Sequence, residues 1–288
     1  MVNTAAGRVE VAVAAPIAEA PSAAVLVVHG TPGDWRQGRP LAEDLCHAHR
    51  VLLPSRPGYG ATPLSVGRTY DEHADAYAAL MDALGIERCA VVGVSGGGPS
   101  AAAFASRHPD RTTALVSVCA MAAHLVAVPR GMRWTVLPGL AELLTPISRA
   151  VGRRRIDDPR RVEAELERSL TPDELARAKR DPRIVEDLLR HARSMIEGPS
   201  ALPGMRNDLA QIIAARRSAP PDYAGVACPS LLLYADADEV IGLDHGRFYA
   251  DALPGAQLKI IEGAGHVFAL TRRRETSELI ARFIASAS

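Results

Sequence analysis

The chain has 288 residues, 48% of them hydrophobic, and its 33 lysines and arginines are matched by 33 aspartates and glutamates. The apolar fraction is enough for a substantial core, and the length fits one large domain with an insertion, or two domains. A formal net charge of zero removes the electrostatic signature of nucleic-acid or membrane-surface binding, and no apolar run approaches the roughly 18 residues of a spanning helix.

The N-terminus has no basic stretch followed by a sustained apolar run, so no secretory signal is expected. The four cysteines, Cys46, Cys89, Cys119 and Cys228, show no metal-ligand spacing. Three of them lie in or beside apolar runs, which reads as reduced thiols in a cytoplasmic core. Short apolar runs then alternate with helical patterns. Strands are expected at residues 9–14, 23–28, 51–54, 88–94, 113–119, 230–234 and 257–261. Helices are expected at 37–47, 71–84 (stopped by Gly85), 97–107, 244–253 and 271–287. This alternation implies βαβ units, and runs that are apolar throughout imply strands buried on both faces. The fold class is α/β, with a mostly parallel central sheet flanked by helices.

The alternation stops between residues 121 and 222, an arginine-rich stretch broken by prolines. Thr171-Pro172-Asp173-Glu174 looks like a helix start, and residues 163–170 and 184–195 carry helical apolar spacing. The reading is a helical cap, 121–222, inserted into a core made of 1–120 and 223–288. The arginine runs 153–155 and 272–274 are expected to be solvated surface.

The stretch 91–99 (VVGVSGGGP) runs from an apolar strand into glycines around one serine. Gly93-x-Ser95-x-Gly97 is the pattern of a nucleophile elbow, a sharp strand-to-helix turn that exposes the serine hydroxyl. The alternative is a structural glycine turn that merely contains a serine. A serine nucleophile needs a base, and the base needs an acid to orient it. Downstream, the strand at 230–234 runs into Asp236 and Asp238, and the strand at 257–261 leads through glycines to His266. The order serine, acid, histidine is therefore present, each group after a separate strand. The turn 29–33 (HGTPG) offers the Thr31 N–H, and Gly96 offers the N–H directly after the serine, together a candidate oxyanion hole.

With these motifs in place, the chain resembles the α/β-hydrolase superfamily. More narrowly it resembles a bacterial group with an HGTPG turn (29–33), an RPGYG loop (56–60) and an SGGGP elbow (95–99). The resemblance covers about residues 23–130 and 229 to the end. It implies a hydrolase of esters, lactones, amides or carbon–carbon bonds that uses no metal or organic cofactor. Its spacing favours Asp238 over Asp236 as the acid. There are departures: Ala235 stands where glycine often opens the acid loop, and Ser55 stands where an acid often precedes the RPG.

Met121, His124, Met132 and Trp134 could line an acyl pocket or form an apolar cap–core interface. Tyr59 could face the pocket or cover the sheet edge. His29 is a substrate-side candidate, or a hydrogen-bonding group within the loops, and His245 reads as structural at a helix start. The resulting expectation is a cytoplasmic serine hydrolase, monomer or homodimer, acting on a small-molecule acyl substrate. Its catalytic groups would be Ser95, Asp238 and His266. Alternatives are a C–C hydrolase, an aminopeptidase or amidase, a cofactor-free cyclase, or a receptor-like binding protein.

Overall fold

A computed structural model describes residues 1–15, 22–128, 140–197 and 201–287. Its strands are β1 (Val2–Thr4), β2 (Gly7–Val9), β3 (Val11–Ala14), β4 (Ser22–Val28), β5 (His49–Pro54), β6 (Cys89–Val94), β7 (Thr112–Val118), β8 (Ser230–Ala235) and β9 (Gln257–Ile261). Seven of them form one sheet in the order β3-β5-β4-β6-β7-β8-β9. Only β3 runs antiparallel to its neighbour. The expected strand at 9–14 is in fact split. Val9 pairs with Val2 in a small hairpin, whereas Val11 onward joins the main sheet beside β5. β1, with three residues, is too short to show a period.

The central strands divide their side chains between two faces. Leu26, Val28, Val91, Leu115 and Leu232 pack on one side with Tyr77, Phe104 and Tyr249. Val25, Val27, Val92, Val116 and Leu233 pack on the other with Leu45, Ile280 and Ile284. Successive residues of a strand point to opposite faces, so a strand covered by helices on both must be apolar at every position. The covering helices are α1 (Arg39–Leu45), α2 (Tyr70–Ala83) and α3 (Gly98–Arg107), then α9 (Leu243–Ala252), α10 (Phe268–Thr271) and α11 (Arg273–Ser286). The expected last helix breaks at Arg272 into α10 and α11.

Between β7 and β8 lie α4 (Leu140–Ile156), α5 (Pro159–Ser169), α6 (Pro172–Arg180), α7 (Pro182–Glu197) and α8 (Leu202–Ala215), with no strand among the described residues. Pro159, Pro172 and Pro182 open helices, where their missing N–H costs nothing. Pro146 does not break its segment but sits inside α4. Thr171 caps α6 through a reciprocal pair with Glu174, as its sequence suggests. No described helix is long and apolar enough to cross a membrane. Of the two arginine runs, 153–155 is exposed. Arg273 is not free surface: it bonds Asp44 of α1 at 2.8–2.9 Å and Asp187 of α7 at 3.0 Å. Its carboxylate partners, which include Glu43 at 3.2 Å, are far away in sequence, and no local pattern announces them.

Candidate active site

Six chemistry-bearing segments follow the C-terminal ends of parallel strands. His29 follows β4, Arg56 β5, Ser95 β6, Cys119 β7, Asp238 β8 and His266 lies beyond β9. Open parallel sheets gather ligand-facing loops at this edge.

Ser95 has φ +48°, a left-handed conformation rare outside glycine. The turn is closed by glycines for steric reasons. A Cβ on Gly93 would stand 2.7 Å from Ala101 Cβ, and one on Gly97 would stand 2.3 Å from the Val28 carbonyl oxygen. The serine hydroxyl lies 3.1 Å from His266 Nε2. His266 Nδ1 lies 2.7 Å from Asp238 Oδ2. The other carboxylate oxygen of Asp238 accepts from the N–H groups of Val240 (2.8 Å) and Ile241 (2.9 Å). Burial opposes the charge on Asp238, but its hydrogen bond and charge interaction with His266 and the Ile241 N–H outweigh it and hold its carboxyl below the usual range. Asp236, the rival acid, is exposed and instead accepts from Gly263 N at 2.7 Å. Its role is to close the loop that carries His266.

Behind the carboxylate sits Cys119, expected from its apolar surroundings to be a reduced core thiol. It is buried, has φ +44°, and gathers with Asp238 and His266 so that their ligand atoms lie within 4.8 Å of one another. Burial and the charge of Asp238 push its thiol well above its ordinary range. It therefore stays protonated, a weak donor beside the acid. A positive φ at a strand end cannot be seen from sequence, so this neighbour gave no signal.

The Thr31 turn reaches the elbow. A Cβ on Gly96 would stand 3.0 Å from Thr31 N and 2.3 Å from Thr31 Oγ1. Glycine at this position lets the two backbone segments meet, with Thr31 N close beside Gly96.

The remaining candidates separate. His29 is 1% exposed, with Nδ1 donating to Gly30 O (2.8 Å) and Nε2 accepting from Arg56 N (2.9 Å). Both ring nitrogens are thus used by backbone, and burial with the Arg56 charge lowers its pKa to about 3. It is a structural group of the loops rather than a pocket contact. Tyr59 is fully buried, so it does not face a pocket. Its hydroxyl donates to Asp208 Oδ2 at 2.6 Å. Met121 is buried, its N–H donating to Ser95 O at 3.0 Å and its carbonyl accepting from Tyr249. His124 packs edge-on against Phe248, ring centroids 4.4 Å apart. Met132 and Trp134 lie outside the described residues. His245 holds the Ala122 N–H through Nδ1 at 2.8 Å, a structural role. Ser55 is buried and donates to Glu10 Oε2 at 2.6 Å, so a carboxylate is still present beside the RPG loop, supplied from elsewhere in the chain.

Sequence reasoning missed Asp208. It lies on α8, 2% exposed, and pairs with the fully buried Arg56 at 2.8 and 3.1 Å. A carboxylate one position from Leu209 and four from Ile212, all buried, was the available signal. It was masked by the interleaved arginines around it.

An ordered serine, histidine and aspartate at the C-terminal edge of a parallel sheet define a class of hydrolytic fold. The alpha/beta hydrolase fold family matches residues 23–272, and the chain belongs to it. It is 24% identical over 267 residues to an uncharacterized hydrolase of Bacillus subtilis, YcgS, covering 91% of each chain. It is 27% identical over 270 residues to a 2-hydroxymuconate semialdehyde hydrolase of a Pseudomonas species, covering 91% of this chain and 87% of that one. Among solved structures, an alpha/beta hydrolase fold protein from Nakamurella multipartita superposes with a TM-score of 0.75 at 29% identity, covering 97% of this chain and 98% of that one.

Proposed function

We propose that the protein is a serine hydrolase of small-molecule carboxylic esters or lactones, with Ser95 as nucleophile, His266 as general base and acid, and Asp238 as the orienting acid. The observation that carries this reading is the continuous relay Ser95 Oγ–His266 Nε2 (3.1 Å) and His266 Nδ1–Asp238 Oδ2 (2.7 Å). Ser95 attacks the acyl carbon as its proton passes to His266 Nε2. The N–H groups of Thr31 and Gly96 stabilise the oxyanion. His266 then protonates the leaving oxygen, giving an acyl-enzyme. A water loses its proton to His266 as it attacks the acyl carbon, and that proton returns to Ser95 as the acid departs. Asp238 holds the Nδ1–H tautomer throughout and stabilises the imidazolium. The helical insertion would act as a cap over this edge. Its α6 touches the histidine loop directly, with Thr171 Oγ1 donating to Gly263 O at 2.8 Å and Glu174 Oε1 accepting from Thr271 at 2.8 Å.

A second reading, cleavage of a carbon–carbon bond next to a carbonyl, is favoured by the relatives named as 2-hydroxymuconate semialdehyde and 2-hydroxy-6-oxo-2,4-heptadienoate hydrolases. A panel of acyl esters and lactones of increasing chain length, run beside a 2-hydroxy-6-oxo-dienoate, separates the two. Preferential turnover of the esters or lactones supports the first reading. A dienoate-selective protein replaces it with the second.

A further inference from the structure

We propose that Asp208, on helix α8 of the insertion, is a positioning residue for the oxyanion turn, acting through the side chain of Thr31. The proposal rests on the serine-hydrolase reading above.

Thr31 Oγ1 donates to Asp208 Oδ2 at 2.5 Å. Arg56 Nη2 holds the same pair, donating to Thr31 Oγ1 at 2.5 Å and to Asp208 Oδ2 at 2.8 Å, with the Gly30 carbonyl at 3.3 Å. Arg56 Nη1 donates to Asp208 Oδ1 at 3.1 Å, and its guanidinium lies over the Tyr59 ring, 4.6 Å from the centroid. Asp208 is therefore held from three sides, and the one group it grips on the oxyanion turn is the hydroxyl of Thr31. Burial opposes the charge of Asp208, yet Arg56 keeps its carboxyl below the usual range. The pair is ionised and charge-compensated, so the acid can sit behind an oxyanion site without opposing it.

A second contact fixes where α8 lies. Gly204 N donates to Gly58 O at 2.9 Å, and a Cβ on Gly204 would stand 2.3 Å from the Tyr59 ring. One on Gly58 would stand 2.8 Å from Gly204 Cα. The helix therefore meets the RPGYG loop backbone against backbone. With α8 held there, Asp208 fixes Thr31, and the Thr31 N–H stays beside Gly96. The N–H donors of an oxyanion hole act only when held in place.

Thr31→Val keeps the backbone N–H and the Arg56–Asp208 pair but removes the hydroxyl. With 4-nitrophenyl acetate, kcat should fall about tenfold while KM changes little. Binding of phenylboronic acid, which loads the oxyanion site, should weaken in parallel. Thr31→Ser, which restores the hydroxyl, should recover most of the loss. Asp208→Asn should also lower kcat, and adding it to Thr31→Val should cost little more, because both act through one contact. A purely structural role would lower the melting temperature without this kcat-specific, non-additive pattern. Thr31→Val at parental kcat, or equal loss in the Val and Ser variants, overturns the proposal. Wild-type protein that neither turns over esters nor reacts at Ser95 with a fluorophosphonate removes the underlying hydrolase reading instead.

Discussion

The sheet core and the helical insertion are built on different physics. α3 buries every residue from Gly98 to Ala105, whereas α5 buries none of its described side chains. The core is held by apolar area on two faces of one sheet. The insertion's surface is laced with exposed pairs such as Arg168–Glu165, Arg177–Asp173 and Arg183–Asp181. Exposed pairs of this kind contribute little. Where the insertion approaches the loops at the sheet edge, it does so through buried polar contacts, chiefly Asp208 against Arg56 and Glu174 against Thr271. The insertion also shares apolar area with the core, since Met121, Ala123 and Ile212 lie in the same cluster as Leu26 and Tyr77, but its contacts with the proposed site are these discrete polar points.

The sharpest way to break that comparison is Ser95→Ala. Ester turnover should fall by on the order of 10⁴-fold or more with the melting temperature intact, measured by steady-state kinetics and thermal unfolding. Most of the activity surviving would mean the core does not hold the chemistry. Asp238→Asn, which leaves shape but reverses the preferred His266 tautomer, should lower kcat by on the order of 10⁴. Next comes the junction. Asp208→Ala strands the Arg56 charge in the interior and should destabilise the protein by about 3–5 kcal/mol in chemical denaturation, since breaking a buried pair costs more than the pair contributes. A loss below about 1 kcal/mol would show the junction to be loosely packed. Acid sharpens the core side. Burial, reinforced by the Arg56 charge, lowers His29 to about 3 and His73 to about 4. Unfolded histidines take up protons below about pH 6.5 while these two do not. The unfolded state thus binds more protons in this window, and stability should fall as pH drops from 6.5 toward 4. A melting temperature flat or rising over that range would contradict the burial of these rings. Smallest of all, Arg168→Ala on α5 should shift stability by less than about 0.5 kcal/mol.

The same contrast explains what was legible. Core strands announced themselves because burial on both faces demands unbroken apolar runs, as in β8, where every residue from Ser230 to Ala235 is buried. The elbow and its partners were readable because a tight turn needs glycine at fixed offsets and because each partner follows its own strand. Tertiary pairings were not readable. Nothing local in the sequence says that Asp208 meets Arg56 across 152 positions, or that Arg273 bridges Asp44 and Asp187. Likewise, nothing local says that Asp238 meets His266 Nδ1, at 2.7 Å, while Asp236 accepts from Gly263 N.

In the proposed mechanism everything depends on Ser95 being an activated nucleophile. The most direct test is reaction of the folded protein with a fluorophosphonate, followed by peptide mass spectrometry. One adduct is expected, mapped to Ser95, absent from Ser95→Ala and strongly slowed in His266→Ala. A folded protein that stays unlabelled, or carries its adduct on another residue, would contradict it.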